Sequence, residues 1–403
     1  MTATTPFTIQ RLKYVATIND EALSESTDPE YEIAYIDIGN VDSQGQIHDI
    51  VNYRYEDAPT RARRIVRDGD VIISTVRTYL QAIAPIENPP ENLIVSTGFA
   101  VVRPSNLLDP KFCKYALRES QFLWEVEARS TGVSYPAINA SDLGEIKISL
   151  PDIHSQRRIA NYLDRETARI DSLIAEKERM LALLEEKRSA LISRLVTRGL
   201  NPDTPLKPSG QEWLGDIPAH WKVLPLRWFT NIGSGEFLSN ELISNERTEE
   251  MLVPVVGGNG VLGYTCKAII EDALVIGRVG ALCGNVHFIH GPVWVTDNAL
   301  LVQAATCFDP RYLREILQLM KLNKLANQSA QPLITGEMVK SQIAPVPPIQ
   351  EQKKILQSLE NKFGVGARLF DEIFKSISLL KERRAALITS AVTGQIPLKE
   401  MGA

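Results

Sequence analysis

The chain has 403 residues, room for two or more domains, and its 44% hydrophobic and 23% charged side chains are ordinary for a globular protein. No apolar run approaches the roughly 18 residues of a membrane span, and MTATTPFTIQRLKYV has no basic segment followed by an apolar run, so neither a span nor a signal peptide is expected. The net charge of −5 excludes a uniformly basic surface: residues 1–150 carry −7 and 201–347 carry −3, while 151–200 and 348–403 carry +2 and +3, so any nucleic-acid contact is a local patch or leans on a basic partner.

In chain order, Asp70–Val76 and Leu93–Ser96 are β-branched runs bounded by Gly, Pro and Asp, and read as strands. A helix is expected over Lys111–Glu127, after Asp109-Pro110. Residues 1–150 are therefore α+β. Arg61, Arg63, Arg64 and Arg67 form the densest basic cluster, with Arg77 and Tyr79 on the next segment. They read either as a solvated basic turn or as a loop touching phosphates or bases. Ser130, Thr131 and Ser134 lie on a polar loop that offers the same choice. Asn88-Pro89-Pro90-Glu91 lacks the aromatic that an adenine methyltransferase stacks on its flipped base, so it reads as a proline turn. Glu145-Ile146-Lys147 reads as a half-exposed strand rather than a nuclease motif.

Ile153 to about Arg198 contains no Pro or Gly and keeps apolar residues in a seven-residue pattern, which predicts one long helix. Its seam holds Leu163, Ile170, Ile174, Leu181, Leu184, Arg188 and Leu191. Residues 199–220, rich in Pro and Gly, read as a linker. Residues 201–347 form a second α+β part, with a strand at Ala273–Ile276 and a helix at Arg311–Leu325. Gly258-Asn259-Gly260-Val261-Leu262-Gly263 fits GxGxxG literally, but a strand-like run follows where a dinucleotide site needs a helix, so it reads as a glycine-rich loop. Cys283, His287 and His290 supply only three ligands, with both histidines in a strand-like run, and no metal is expected. The four cysteines form no CxxC pair and read as thiols of a reducing, cytoplasmic compartment. Arg278, between Gly277 and Gly280, together with Asn259, Asn285, Gln328 and Ser329, are the candidate base readers here, since Arg suits guanine and Asn or Gln suits adenine. Residues 348–403 repeat the long helix, with seam residues Leu359, Phe370, Ile373, Ile377, Leu380, Arg384 and Leu387.

The two halves are copies. Shifted by 196 residues, Pro136, Ile138, Pro151, Gln156, Ile159 and Leu163 fall on Pro332, Ile334, Pro347, Gln352, Ile355 and Leu359. Leu184, Glu186, Arg188, Ala190, Leu191 and Ile192 fall on Leu380, Glu382, Arg384, Ala386, Leu387 and Ile388. Upstream, Asp109-Pro110 matches Asp309-Pro310 at a shift of 200. Each half is thus a divergent globular part followed by a better-kept helix, and the helices are expected to pair with each other rather than to lie on separate cores.

The pattern resembles the specificity subunit of type I restriction-modification enzymes over essentially the whole chain. The residues that carry it are the repeated Pro-x-x-x-x-Gln-x-x-Ile (Pro151, Gln156, Ile159; Pro347, Gln352, Ile355) and the helix ends Ala190-Leu191-Ile192 and Ala386-Leu387-Ile388. Val392-Thr393-Gly394-Gln395-Ile396 and the string Glu212–Trp221 add to it, while Arg198 stands where the second copy has Gly394. The resemblance implies an α+β chain of two pseudo-twofold-related target-recognition domains, 1–150 and 201–347, separated by two long antiparallel helices, 151–200 and 348–403, in a coiled coil. It implies that each domain reads one half of a bipartite double-stranded DNA target. Two methyltransferase subunits would dock on the helices, bringing S-adenosylmethionine and flipping an adenine, and motor-nuclease subunits would join for cleavage. The chain itself would hold no cofactor and do no chemistry. A fused adenine methyltransferase would need a cofactor loop that no segment supplies, and a coiled-coil scaffold without DNA function is the other alternative.

Overall fold

The computed structural model describes residues 7–280, 282–326 and 332–402. The chain divides into two compact units, Met1–Glu178 with Ile373–Ala403, and Arg179–Glu372. Each unit combines a globular part with the start of one long helix and the end of the other. The helices run unbroken over Ile153–Arg198 and Ile349–Val392.

In the first unit an antiparallel sheet orders strands Ala16–Ile18, Phe99–Pro104, Val71–Ser74 and Ile83–Pro85. A second sheet orders Val51–Arg54, Glu32–Ile36, Leu93–Ser96 and Ala62–Ile65, with Glu32–Ile36 and Leu93–Ser96 parallel. Ile36, Ile72, Ala84, Val95 and Phe99 form one core cluster drawn from both sheets. A second core joins Phe112, Leu117, Phe122 and Leu143 to Ile159, Ala160 and Leu163 of the first long helix and Ile388, Ala391 and Val392 of the second. The second unit repeats this plan with strands Thr230–Ser234, Ala299–Ala304, Ala273–Gly277 and Val286–Ile289. A smaller sheet holds Gly260–Thr265, Val253–Gly257 and Trp294–Val295.

The repeated motifs acquire physical reasons. Asp109 and Asp309 cap the helices that follow, each accepting the backbone N–H two residues on, with Pro110 and Pro310 at the first helical position, where no hydrogen bond is lost. Gln156 and Gln352 are fully buried, so their amides need partners. Gln156 accepts from Asp109 N (2.7 Å) and donates to Leu107 O (2.9 Å) and Pro151 O (2.8 Å). Gln352 accepts from Asp309 N (2.9 Å) and donates to Cys307 O (3.1 Å) and Pro347 O (2.9 Å). The same joint therefore roots each long helix in its globular part.

Three expectations change. The helix expected over Lys111–Glu127 is two, Pro110–Ala116 and Ser120–Arg129, because Glu119 turns back to cap Gln121 N and Phe122 N. Its counterpart stops at Leu319, and Lys321 takes a left-handed backbone (φ 50°) before a short 3-10 turn at Leu322–Leu325. The stretch read as a linker is packed: Leu206–Pro208 pairs with Asp216–Pro218, Ile217 and Trp221 are fully buried, and Trp221 Nε1 donates to Glu351 (3.0 Å).

The helix ends also correspond differently in space. Gly199 (φ 74°) follows the first long helix and Gly394 (φ 77°) the second, so the left-handed glycine is present in both copies, one residue later after Val196 than after Val392. Each is covered by the aromatic that precedes the strand paired with the one before the long helix, Phe7 before Thr8–Arg11 and Trp221 before Lys222–Pro225. A Cβ on Gly394 would lie 2.9 Å from the Phe7 ring, and one on Gly199 would lie 3.3 Å from Trp221.

Within the first unit the helix segments pair antiparallel: Asp171 meets Arg384 (2.8 and 3.2 Å) and Glu178 meets Lys381 (3.7 Å). Leu163, Ile170, Ile174, Ile373 and Ile377 are buried there, and Leu380 and Leu387 half-buried. In the second unit Leu359 is buried among Leu195, Val196 and Ile355, with Leu191 packed beside them. Leu181 and Leu184 are half-buried. Two seam assignments differ from expectation. Phe370 is 40% exposed, and its neighbours Leu369 and Phe374 are exposed with it. Arg188 lies at the rim, 50% exposed, over the Phe363 ring (5.2 Å) and 3.8 Å from Glu185 of its own helix, whereas Arg384 is half-buried and paired with Asp171 of the other helix. Ile192 packs against the second core.

Candidate nucleic-acid interface

In the first unit the strand Val71–Ser74 runs into the loop Thr75–Gln81, which is tied down residue by residue. Thr75 N and Oγ1 both donate to Gly98 O (2.8 and 2.9 Å), and Thr75 O accepts from Ile138 N (2.9 Å). Arg77 N donates to Pro136 O (2.8 Å). Thr131 and Ala137 exchange backbone bonds at 2.9 Å and close the loop Thr131–Ala137 against it. Arg77 lies over the Tyr135 ring, 4.9 Å from its centroid, and Tyr79, Val133 and Tyr135 are exposed. Ser130 is engaged inward: its hydroxyl meets Thr78 Oγ1 (2.9 Å) and donates to Val126 O (2.7 Å). Ser134 is exposed on the same loop.

The basic cluster divides. Arg61 is exposed, and its carbonyl accepts from Thr97 N (2.8 Å), next to the Gly98 that holds Thr75. Arg63 stacks on Tyr55 (4.8 Å) and donates to Ala62 O, and Arg64 is half-buried on the same strand. Arg67 chelates Glu21 through Nε and Nη2 (2.9 and 2.7 Å) and is spent as a structural tie.

The second unit fastens its first loop to the repeated proline in the same way. After the strand Ala273–Gly277, Arg278 O accepts from Ile334 N (2.9 Å) and Gly280 N donates to Pro332 O (3.0 Å). Arg278 Nη1 donates to Ser234 Oγ (2.9 Å) and Asp297 O (3.1 Å). Asn259 sits in the hairpin turn Gly257–Gly260, which reaches this end because glycines meet glycines: a Cβ on Gly277 would strike Gly258 O at 2.5 Å. Asn285 O accepts from Gly277 N (2.8 Å) at the base of the loop. Gln328 and Ser329 lie outside the described residues.

The remaining motifs have structural explanations. Asn88 holds a left-handed turn (φ 47°), with its N–H on Asp68 (2.7 Å). Glu145 is tied to Lys13 and, at 2.8 Å, to Arg11; the bond from Lys13 foremost holds its carboxyl below the usual carboxylate range. The GxGxxG string is a hairpin between strands, with no helix after it. Cys283 is buried in the core, while His290 lies by Asp272 (3.7 Å) and is exposed. Burial, then the charge of Arg314, pushes the His287 imidazole down. Among the described residues, no helix is long and apolar enough to cross a membrane.

The family model for the type I restriction modification DNA specificity domain matches twice, at residues 6–181 and 218–364. This chain belongs to the specificity-subunit family of type I restriction-modification enzymes. A type I specificity subunit of Escherichia coli is 33% identical over 149 residues, 36% of this chain and 34% of the relative. Two subunits of Methanocaldococcus jannaschii, one described as putative, align more broadly: 25% identity over 72% of this chain and 71% of the relative, and 22% over 77% and 76%. A chain from a structural study of complex assembly and conformational transition in the type I restriction-modification system shares the fold, with a TM-score of 0.75 at 22% identity over 98% of this chain and 99% of its own. Like other members of this family, the chain is a non-catalytic specificity subunit.

Sequence reasoning placed Tyr135 on a candidate loop but missed Thr75 and Gly98 as builders of the loop pair, and Ser234 and Asp297 as anchors of Arg278. The signal available for the first group was the repeated Pro136/Pro332, which the loops use as a shared fastening point in both units.

Proposed function

We propose that this chain reads DNA for a type I restriction-modification complex, residues 1–150 recognising one half of a bipartite target and 201–347 the other. The observation that carries this reading is the loop after strands Val71–Ser74 and Ala273–Gly277, fastened by the same backbone bonds in both units but with different side chains, Thr75 and Arg77 in one and Arg278 and Gly280 in the other, with Tyr135 and Asn259 on neighbouring segments. One frame holding two different sets of polar side chains suits two readers of two sequences. Arg61, Arg63 and Arg64 would add phosphate or base contacts in the first domain, as would Tyr79, Thr131 and Ser134. Asn285 would serve the second. The negative net charge leaves part of the phosphate affinity to partners.

Two methyltransferase subunits dock on the long helices, which expose Leu173, Met180, Leu183, Phe374 and Leu379. They bring S-adenosylmethionine and flip the target adenine, motor-nuclease subunits complete the restriction complex, and all act in the cytoplasm. The test is assembly followed by methylation. The chain purified with its methyltransferase subunits is expected to methylate a split target. Alone, it is expected to bind no S-adenosylmethionine in calorimetry. Leu173→Lys with Leu183→Lys is expected to abolish co-purification while the chain keeps its circular dichroism. Micromolar cofactor binding by the isolated chain would refute the assignment.

A further inference from the structure

Three backbone contacts recur in both units. Val76 bridges Ala137 as Val279 bridges Leu333. Thr75 O accepts from Ile138 N as Arg278 O accepts from Ile334 N, and Arg77 N reaches Pro136 O as Gly280 N reaches Pro332 O. Arg77 therefore occupies the place of Gly280, and both have left-handed backbones, φ 56° and φ 88°. That backbone suits glycine and disfavours a residue with a Cβ. Gln81, at the other end of the same loop, is left-handed too (φ 50°). The strain is held in place by the bonds from Gly98, Pro136 and Ser130. Strain that the surroundings over-determine marks positions where a side chain has a task.

Arg77 has no carboxylate partner among the described ion pairs, unlike Arg67 on Glu21 or Arg103 on Asp70. Its guanidinium is held instead against the exposed face of Tyr135, which restricts its rotamers and leaves its fork of donors open. The second unit places its arginine two positions earlier, at Arg278, and fastens it to Ser234 and Asp297. Glycine can then stand at the left-handed position.

We infer that Arg77, pre-positioned by Tyr135, is the specificity-determining residue of the first recognition domain and reads a guanine edge in the major groove. This inference rests on the proposed DNA-reading function. Bidentate bonds from a guanidinium to guanine O6 and N7 are the matching chemistry.

The experiment maps methylated adenines in genomic DNA from strains carrying the chain with its methyltransferase subunits, as wild type, Arg77→Gly, Arg77→Lys, Tyr135→Phe and Tyr135→Ala. Arg77→Gly installs the residue that the backbone prefers, so the melting temperature is expected not to fall. Discrimination at a single G·C pair of one half-site is expected to drop about ten- to a hundred-fold, with the other half-site unchanged. Tyr135→Phe keeps the stack and the specificity, whereas Tyr135→Ala weakens reading at that same pair. A wild-type split target that Arg77→Gly leaves unaltered would overturn the inference and spare the proposed function. So would a uniform loss at every position, which marks a phosphate contact, or a loss of reading that comes with a lower melting temperature. A wild-type complex that methylates no split target would overturn the proposed function itself.

Discussion

The glutamine joints and the loop pairs treat the duplication in opposite ways. At the joints, Gln156 and Gln352 make the same three hydrogen bonds to the same three backbone positions. At the loop pairs the backbone bonds are kept while the side chains change: Thr75 stands against Arg278 and Arg77 against Gly280. A buried amide has a unique satisfied arrangement, so the joint cannot drift without leaving polar groups unpaired. A loop fastened through its backbone leaves its exposed side chains free to change. The difference separates what holds the chain in shape from what reads DNA.

The comparison can be sharpened first at the helices, where the largest effect is expected, a change of target. Each long helix runs on from one compact unit into the other, and seven residues add about 10 Å of helix, or roughly three base pairs. A heptad inserted in 160–195, with its match in 356–391, is expected to lengthen the unspecified gap of the target and leave both half-sites unchanged, as read by methylome sequencing. Altered half-sites would show that the frame and the readers are not separable.

Next come the aromatic covers. Trp221→Ala empties a fully buried site and removes the bond to Glu351, at an expected cost of about 3–5 kcal/mol in urea unfolding. Phe7→Ala, at the matching but half-exposed position, is expected to cost about 1–2 kcal/mol. A reversed order would refute the equivalence of the two covers.

The joints follow. Gln156→Met and Gln352→Met keep the volume but orphan one N–H and two carbonyls each, at about 2–3 kcal/mol apiece. Near-equal losses in the two variants support one shared device. A loss confined to one copy would break it.

The smallest effect separates the paired arginines. Arg384→Ala loses a half-buried bidentate pair with Asp171 and is expected to cost about 1–2 kcal/mol, while Arg188→Ala, at the exposed rim, is expected to change stability by less than about 0.5 kcal/mol.

What was legible in the sequence was local or periodic. The Asp-Pro caps, the heptads and the repeated Gln156 and Gln352 each announce themselves within a few residues or at one fixed shift. What escaped depends on contacts between distant segments. Arg67 looks like part of a DNA-binding cluster until Glu21, 46 positions away, neutralises it. The helix expected over Lys111–Glu127 breaks where Glu119 caps a new one, and the Arg118 side chain at that break reaches Ser43 O (2.8 Å) and Ile83 O, a burial that pushes its guanidinium down to about 10. Pro and Gly made 199–220 look like a free connection, yet Trp221 anchors it. Reading loops are the least legible of all, since their side chains answer to DNA rather than to the fold.

The central claim is that each recognition domain reads its own half-site on a common frame. Replacing residues 222–346, between the strand that follows Trp221 and the strand that precedes Gln352, with the corresponding segment of another family member tests it directly. Methylome sequencing of a strain expressing this chimera with the methyltransferase subunits is expected to show one half-site replaced, the other half-site and the gap unchanged. A change in both half-sites, or in the half-site assigned to residues 1–150 alone, would contradict the account.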